Sequence, residues 1–167
     1  LQAGLSESDL GEGYANNAGD PQRDIGLRKA HALLQWNHAP QADATWKASL
    51  SWAEERFADL FNNLSYQEQL LALEIERTQV LSPNWRWVLG GGVRDDSIWS
   101  PPLFAAAERV AVRDWRVFGH AEWAPAPGWL VNAGLFAGNR SDTGSYLAPR
   151  LMVNHEIAPG HTLRAGL

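Results

Sequence analysis

The sequence predicts an all-β protein, a segment of an antiparallel transmembrane β-barrel in which about nine meandering strands are joined by short periplasmic turns and longer extracellular loops. Three observations predict it. Apolar and polar residues alternate with a period of two along most of the chain, as strands with two unlike faces require. Short Pro-containing turns recur at 39–43, 82–84, 124–128 and 158–160, with prolines about 43, 42 and 34 residues apart, roughly two strands plus one short and one longer connection. Tryptophans, nine in 167 residues, gather beside those turns.

The strands follow in order. The chain opens on Leu1-Gln2-Ala3-Gly4-Leu5, already strand-like. Ala32, Leu34 and Trp36 then form an apolar face against His31, Gln35 and Asn37, with Leu33 as the exception. Between Trp46 and Glu55 the split is cleanest: Trp46, Ala48, Leu50 and Trp52 oppose Lys47, Ser49, Ser51 and Glu55. From Glu68 to Leu81, Leu71, Leu73 and Ile75 alternate with Glu74 and Glu76, although the composition of this stretch also permits a helix. Trp85, Trp87, Leu89 and Val93 oppose Arg86, Gly90, Gly92 and Arg94; Trp115, Val117, Ala121 and Trp123 oppose Arg116, His120 and Glu122. Trp129, Val131, Ala133, Leu135 and Ala137 then oppose Asn132. The last two strands, Tyr146 to Glu156 and His161 to Leu167, meet at Ala158-Pro159-Gly160 with Arg150 and Arg164 on the polar face. Polar segments at Glu12 to Leu27, Ala58 to Gln67, Asp95 to Val112 and Gly138 to Ser145 are expected to be the longer loops, with a short helix permitted at Phe104 to Val110.

Composition narrows the function classes. A formal net charge of -5 and a pI near 5.5 argue against a general nucleic-acid binder, which needs a clustered basic surface. The chain has no cysteine, so disulfides and thiolate metal sites are excluded. No run of about 18 apolar residues forms a membrane helix, and a mean hydropathy of -0.32 leaves a barrel open, because a barrel carries its lipid face in alternation. Trp36, Trp46, Trp85, Trp87, Trp123 and Trp129 all fall on the apolar face beside the short turns. Indole suits a membrane-water boundary, a large ring with one N–H donor, so these six are expected to form an aromatic girdle against outer-membrane lipid. Arg86, Arg94, Arg116, His120, Glu122, Arg150 and Arg164, on the opposite face, are then expected to line a polar lumen. Two other readings of the residues stay open: a small self-contained outer-membrane barrel, structural or enzymatic, and a soluble β-sandwich binding module with the tryptophans in its core.

Several motifs in order resemble the TonB-dependent outer-membrane receptors. They are Leu89-Gly90-Gly91-Gly92-Val93-Arg94-Asp95-Asp96, then Trp115-Arg116-Val117-Phe118 leading to Glu122-Trp123, then Ala148-Pro149-Arg150-Leu151 and Thr162-Leu163-Arg164-Ala165-Gly166. The resemblance implies residues 1–167 are a partial barrel, about nine strands of about 22, with no plug domain and no closure within the chain. It also implies a receptor for energy-coupled uptake of a scarce chelate such as a ferric siderophore, whose partners are its own plug and an inner-membrane energy-transducing complex. Ligand contacts in this family come from plug and extracellular loops, which makes Tyr14, Asn16, Asn17, Phe61, Tyr66, Trp99 and Phe104 the candidates here.

Catalytic and cofactor chemistry has little support. His120 and Glu122 are the best local pair of ionisable residues, but no signature places a nucleophile beside a base, and no cofactor or metal site is expected. Gly90-Gly91-Gly92 lacks the Lys and helix of a phosphate loop and reads as a bend or a close backbone approach. In a complete barrel in a bilayer, Leu50→Arg or Val131→Arg is expected to cost about 2 to 4 kcal/mol near the midplane while Ser49→Arg is tolerated. Denaturant unfolding from lipid vesicles measures both, and equal damage from the two faces contradicts the lipid-facing assignment.

Overall fold

The computed structural model describes residues 1–12, 18–19, 23–59, 61–104 and 108–167. They form nine strands: β1 (Gln2–Glu12), β2 (Arg23–Gln41), β3 (Ala44–Asp59), β4 (Leu64–Ser82), β5 (Trp85–Trp99), β6 (Val110–Trp123), β7 (Trp129–Arg140), β8 (Gly144–Ala158) and β9 (His161–Gly166). One helical turn, α1 (Pro101–Phe104), lies between β5 and β6. The strands make a single antiparallel sheet whose spatial order is the chain order. Where the connection is two to five residues long it forces consecutive strands to pair, and the two ten-residue connections, 13–22 and 100–109, also join strands that are neighbours in the sheet.

The ambiguous stretch from Glu68 to Leu81 lies inside β4, a 19-residue strand. Its helix propensity is weak beside two neighbouring strands, β3 and β5, that take up its backbone donors and acceptors. The helix permitted at Phe104 to Val110 is shifted: the helical turn ends at Phe104, Val110 already belongs to β6, and 105–107 fall outside the described residues.

The expected long loops give up their ends to strand. The connection after β3 occupies 60–63 and that after β7 only 141–143, against the expected Ala58 to Gln67 and Gly138 to Ser145. Asp95 to Val112 contributes strand at both ends, and of 13–22, between β1 and β2, only 18–19 are described. These strand ends carry polar residues on both faces, so the alternation that marks a strand in the sequence fades while the ladder continues. At the β7–β8 turn, Asn139 faces Ser145 and Arg140 faces Gly144 across the hairpin. There Arg140 donates to Asp142 at 2.8 Å and holds that carboxyl below its ordinary range.

The short turns are as expected. Two-residue connections occupy 42–43, 83–84 and 159–160, and a five-residue one occupies 124–128. Gly160, at φ 79°, follows Pro159 in the pattern of a type II turn, where the third position needs a positive φ. Adjacent turns are tied together, Ala124 N–H donating to the Asn84 carbonyl and Glu156 N–H to the Gly128 carbonyl, both at 2.8 Å.

Two compact units divide the strands. One comprises Leu1–Leu34, Leu50–Ala72 and Arg94–Arg113. Arg23 and Asp59 form a largely buried ion pair in it at 3.2 Å, and the same carboxylate accepts the backbone N–H groups of Phe61 and Asn62. Ionic contacts continue along the surface as Glu7–Arg28, Glu54–Arg56 and Asp95–Arg113. The other unit comprises Gln35–Ser49, Leu73–Val93 and Asp114–Leu167, and contains all four short turns.

Neither unit has an ordinary core. Among the described residues only Ile25 in the first and Ala44 in the second are buried hydrophobic residues. Large apolar side chains stand outward instead: Leu50 and Leu71 in the first unit, and Leu89 (54% exposed), Val117 (51%), Leu135 (49%) and Leu147 (67%) in the second. A soluble β-sandwich needs a second sheet to cover such a face, and the described strands form one sheet, so that reading is set aside. β1 and β9 stand at the two ends of the strand order.

The turn at Gly160 gives a direct test of backbone conformation. A Cβ on Gly160 meets nothing within 4 Å, so Gly160→Ala is expected to lose about 1 kcal/mol through the positive φ alone. Gly11→Ala, equally open and without a positive φ, is expected to be neutral. Urea unfolding of both variants checks the difference.

Candidate functional site

The unit containing the short turns carries two unlike faces, and the pairing register fixes which side chains share each. On β6, β7 and β8, Trp123 faces Val131, which faces Val153, and Trp129 faces His155; one step away Glu122 faces Asn132, which faces Met152. Successive side chains of a strand point to opposite sides, so Trp123, Trp129, Val131 and His155 belong to the apolar face and Glu122, Asn132 and Asn154 to the polar one.

The six tryptophans predicted as a girdle make contacts along the apolar face. Trp85 and Trp123 pack at 5.8 Å with a 53° tilt across β5 and β6. Trp129 stacks on His155 at 4.0 Å, and Trp36 on His38 at 5.4 Å. Trp46 of β3 and Trp87 of β5 are bridged by Arg77 of β4, whose guanidinium carbon lies 5.1 Å and 5.6 Å from the two ring centroids. Arg77 and His155 escape a search for aromatic positions. The available signal was parity, since Arg77 lies two residues beyond Ile75 on the same face.

The polar face holds Arg86, Arg116, His120, Glu122, Arg150 and Arg164. Arg86 donates to Glu122 at 3.1 Å, so the acid of the predicted His120–Glu122 pair is engaged by arginine. Arg116 pairs with Glu74 two strands away, and Lys47 with Glu76 at 3.7 Å. Arg150 lies opposite Gly134, and Arg164 opposite Asn154. Neither has a carboxylate within ion-pair distance among the described residues, so Glu156, a conceivable partner, does not fill that role. Arg94 is apart from this group, in the other unit, where it binds Asp96 at 2.6 Å.

Aromatic rings cover glycines on the polar face. The Phe118 ring lies against Gly90, where a Cβ would also sit 2.9 Å from the Ile75 carbonyl oxygen. This close approach, rather than phosphate recognition, accounts for a glycine at that position. Tyr146 lies over Gly138 in the same way, stacks on Phe136 at 5.6 Å and donates its hydroxyl to Asp114 at 3.2 Å.

The described loop candidates occupy the ends of β4, β5 and α1 and the β3–β4 turn. Tyr14, Asn16 and Asn17 lie outside the described residues. Phe61 sits 5.0 Å beneath the Arg23 guanidinium, in the β3–β4 turn. Tyr66 belongs to β4 rather than a loop, donates to Glu55 at 2.7 Å and stacks on Phe57 at 5.2 Å. Trp99 ends β5, and Phe104 ends α1, whose start is tied to β4 through Ser100 Oγ donating to the Ser65 carbonyl at 2.6 Å.

The sequence matches no protein-family model and no curated protein. Solved structures do match. The siderophore receptor PirA from Pseudomonas aeruginosa superposes with a TM-score of 0.78 at 15% identity, over 98% of this chain and 28% of that one. A mutant of the ferric enterobactin receptor PfeA from the same organism gives a TM-score of 0.51 at 11% identity, over 93% of this chain and 35% of PfeA. The sheet is matched by barrel strands of siderophore receptors. At these identities the likeness is one of fold, and the chain spans about a third or less of each receptor's length.

Packing on the polar face predicts unequal glycines. A Cβ at Gly138 would lie 2.5 Å from the Trp115 carbonyl oxygen, so Gly138→Ala is expected to destabilise by about 1 to 3 kcal/mol. Gly26→Ala, which meets nothing within 4 Å, is expected to leave stability unchanged. Unfolding midpoints of the two variants decide it.

Proposed function

We propose that the chain forms part of the barrel wall of a TonB-dependent outer-membrane receptor that takes up a ferric siderophore or similar chelate with energy from an inner-membrane complex. The observation that carries this reading is a nine-strand meander with an uncovered apolar face and a polar opposite face, superposing over nearly its whole length on a siderophore receptor. In this reading the apolar face meets lipid, which supplies the cover the protein lacks. Backbone groups in hydrocarbon must be satisfied within the structure, and a sheet continued on both edges by further strands meets that demand.

The polar face then lines the lumen. Arg86, Arg116, Glu74 and Glu122 are already paired and stiffen the wall, whereas Arg150 and Arg164 retain donors for carboxylates of a plug or for an anionic ligand. Phe61 in the β3–β4 turn, Trp99 at the end of β5 and Phe104 at the end of α1 are proposed to meet a large chelate outside, and Tyr14, Asn16 and Asn17 are proposed with them on their sequence position alone.

Uptake of radioactive iron by cells expressing the full-length parent protein tests this. Saturable accumulation of at least one ferric chelate is expected, abolished when the proton-motive force is collapsed. Failure to bind any of a panel of ferric catecholates and hydroxamates, or accumulation indifferent to the proton-motive force, contradicts the proposal.

A further inference from the structure

The inference rests on the membrane reading above and adds a site to it. Arg77 is a cation on the apolar face of β4, two residues beyond Ile75, which is itself exposed. Its Nη2 donates to Gln79 Oε1 at 2.8 Å, and the Gln79 amide in turn donates to Asp43 at 3.0 Å. Gln79 therefore stands between the guanidinium and the nearest acid of this network. Nε is buried without a partner, and among the described residues Nη1 makes no hydrogen bond and Arg77 has no ion-pair partner. The flanking indoles of Trp46 and Trp87 stabilise the cation but do not neutralise it. An arginine without a counter-ion at the edge of an apolar surface offers its remaining donors to an anion supplied from outside.

A second feature adjoins it. Trp87 also borders an open apolar hollow of about 830 Å³ on the same face, within the roughly 300–1,000 Å³ range of ligand sites. Its floor is cut by small side chains, Gly119, Ala121, Ala133 and Ala137, and its walls include Leu89 and Leu135. The cation and the hollow share one indole. A free anion would use only Arg77 and a hydrocarbon only the hollow, whereas an amphiphile with a phosphate beside an acyl chain uses both.

We propose that Arg77, held between Trp46 and Trp87, binds the phosphate of an anionic glycerophospholipid whose acyl chain lies in the hollow over Gly119 and Ala133. The site lies in the unit of the short turns, so the lipid belongs to the leaflet those turns face. Nη1 offers two N–H groups to the phosphate oxygens, and the indoles fix the plane of the guanidinium. Asp43 disfavours a phosphate placed beyond Gln79 and so directs it toward Nη1.

Native mass spectrometry of the full-length parent in maltoside micelles, titrated with short-chain phosphatidylglycerol, tests the site. Saturable retention is expected for the unaltered protein, weakened at least tenfold by Arg77→Gln, which removes the cation, and by Ala133→Leu, which fills the hollow. Inorganic phosphate at equal concentration should not compete. Unchanged affinity in folded Arg77→Gln or Ala133→Leu overturns the proposal, as does full competition by inorganic phosphate, which would mark a simple anion site. Flotation with phosphatidylglycerol vesicles separates the two levels. An unaltered protein that fails to float removes the membrane reading, whereas one that floats and binds lipid independently of Arg77 removes only this site.

Discussion

Every strand here depends on a neighbour for its backbone hydrogen bonds and on something outside the chain to cover its apolar side chains. The first demand is met by the antiparallel ladder from β1 to β9. The second is met only in part by the described residues: apart from Ile25 and Ala44, their hydrophobic side chains remain at least partly open. Burial of apolar surface is the main favourable term in folding, so a sheet of this kind is stable only where its surroundings do what a core does elsewhere. A lipid bilayer is the surroundings that fits a face of leucine, valine and tryptophan.

The same constraint organises the polar face. Charges there are arranged across neighbouring strands, Arg86 with Glu122 and Arg116 with Glu74, so that they neutralise one another without leaving the wall. Rings of Phe118 and Tyr146 fold down over Gly90 and Gly138, covering backbone that a glycine would leave bare. The wall is thereby tied together on one side by ion pairs and rings, and on the other by aromatic and cation contacts near the short turns. Arg77 and His155 belong to that second set, a mixed belt of indole, imidazole and guanidinium beside the short turns.

Much of this was legible in the sequence because alternation and turn chemistry are local. Leu50 and Ser49 declare their faces by parity, and Pro159-Gly160 declares its turn by the φ it needs. The strand ends were not legible. Tyr66 and Trp99 sit where both faces are polar, so periodicity is silent and only the ladder with the next strand reveals that the backbone is extended. Arg77 was legible in position but not in meaning, since its two indole neighbours come from β3 and β5, and strand pairing alone brings them together. The polar-face pairs were obscured for the same reason: the sequence proposes His120 with Glu122 from their spacing, and the fold gives Glu122 to Arg86, 36 residues away.

Single nitroxide labels along β7, in a background freed of any other cysteine, measure the central claim directly. With the complete barrel in a bilayer, labels at positions 131, 133, 135 and 137 are expected to relax with membrane-dissolved oxygen. Labels at 130, 132, 134 and 136 are expected to relax with a water-soluble nickel complex. A period of two in that contrast is the predicted result. Equal access of either reagent to both sets, or the opposite phase, would contradict the assignment of the apolar face to lipid.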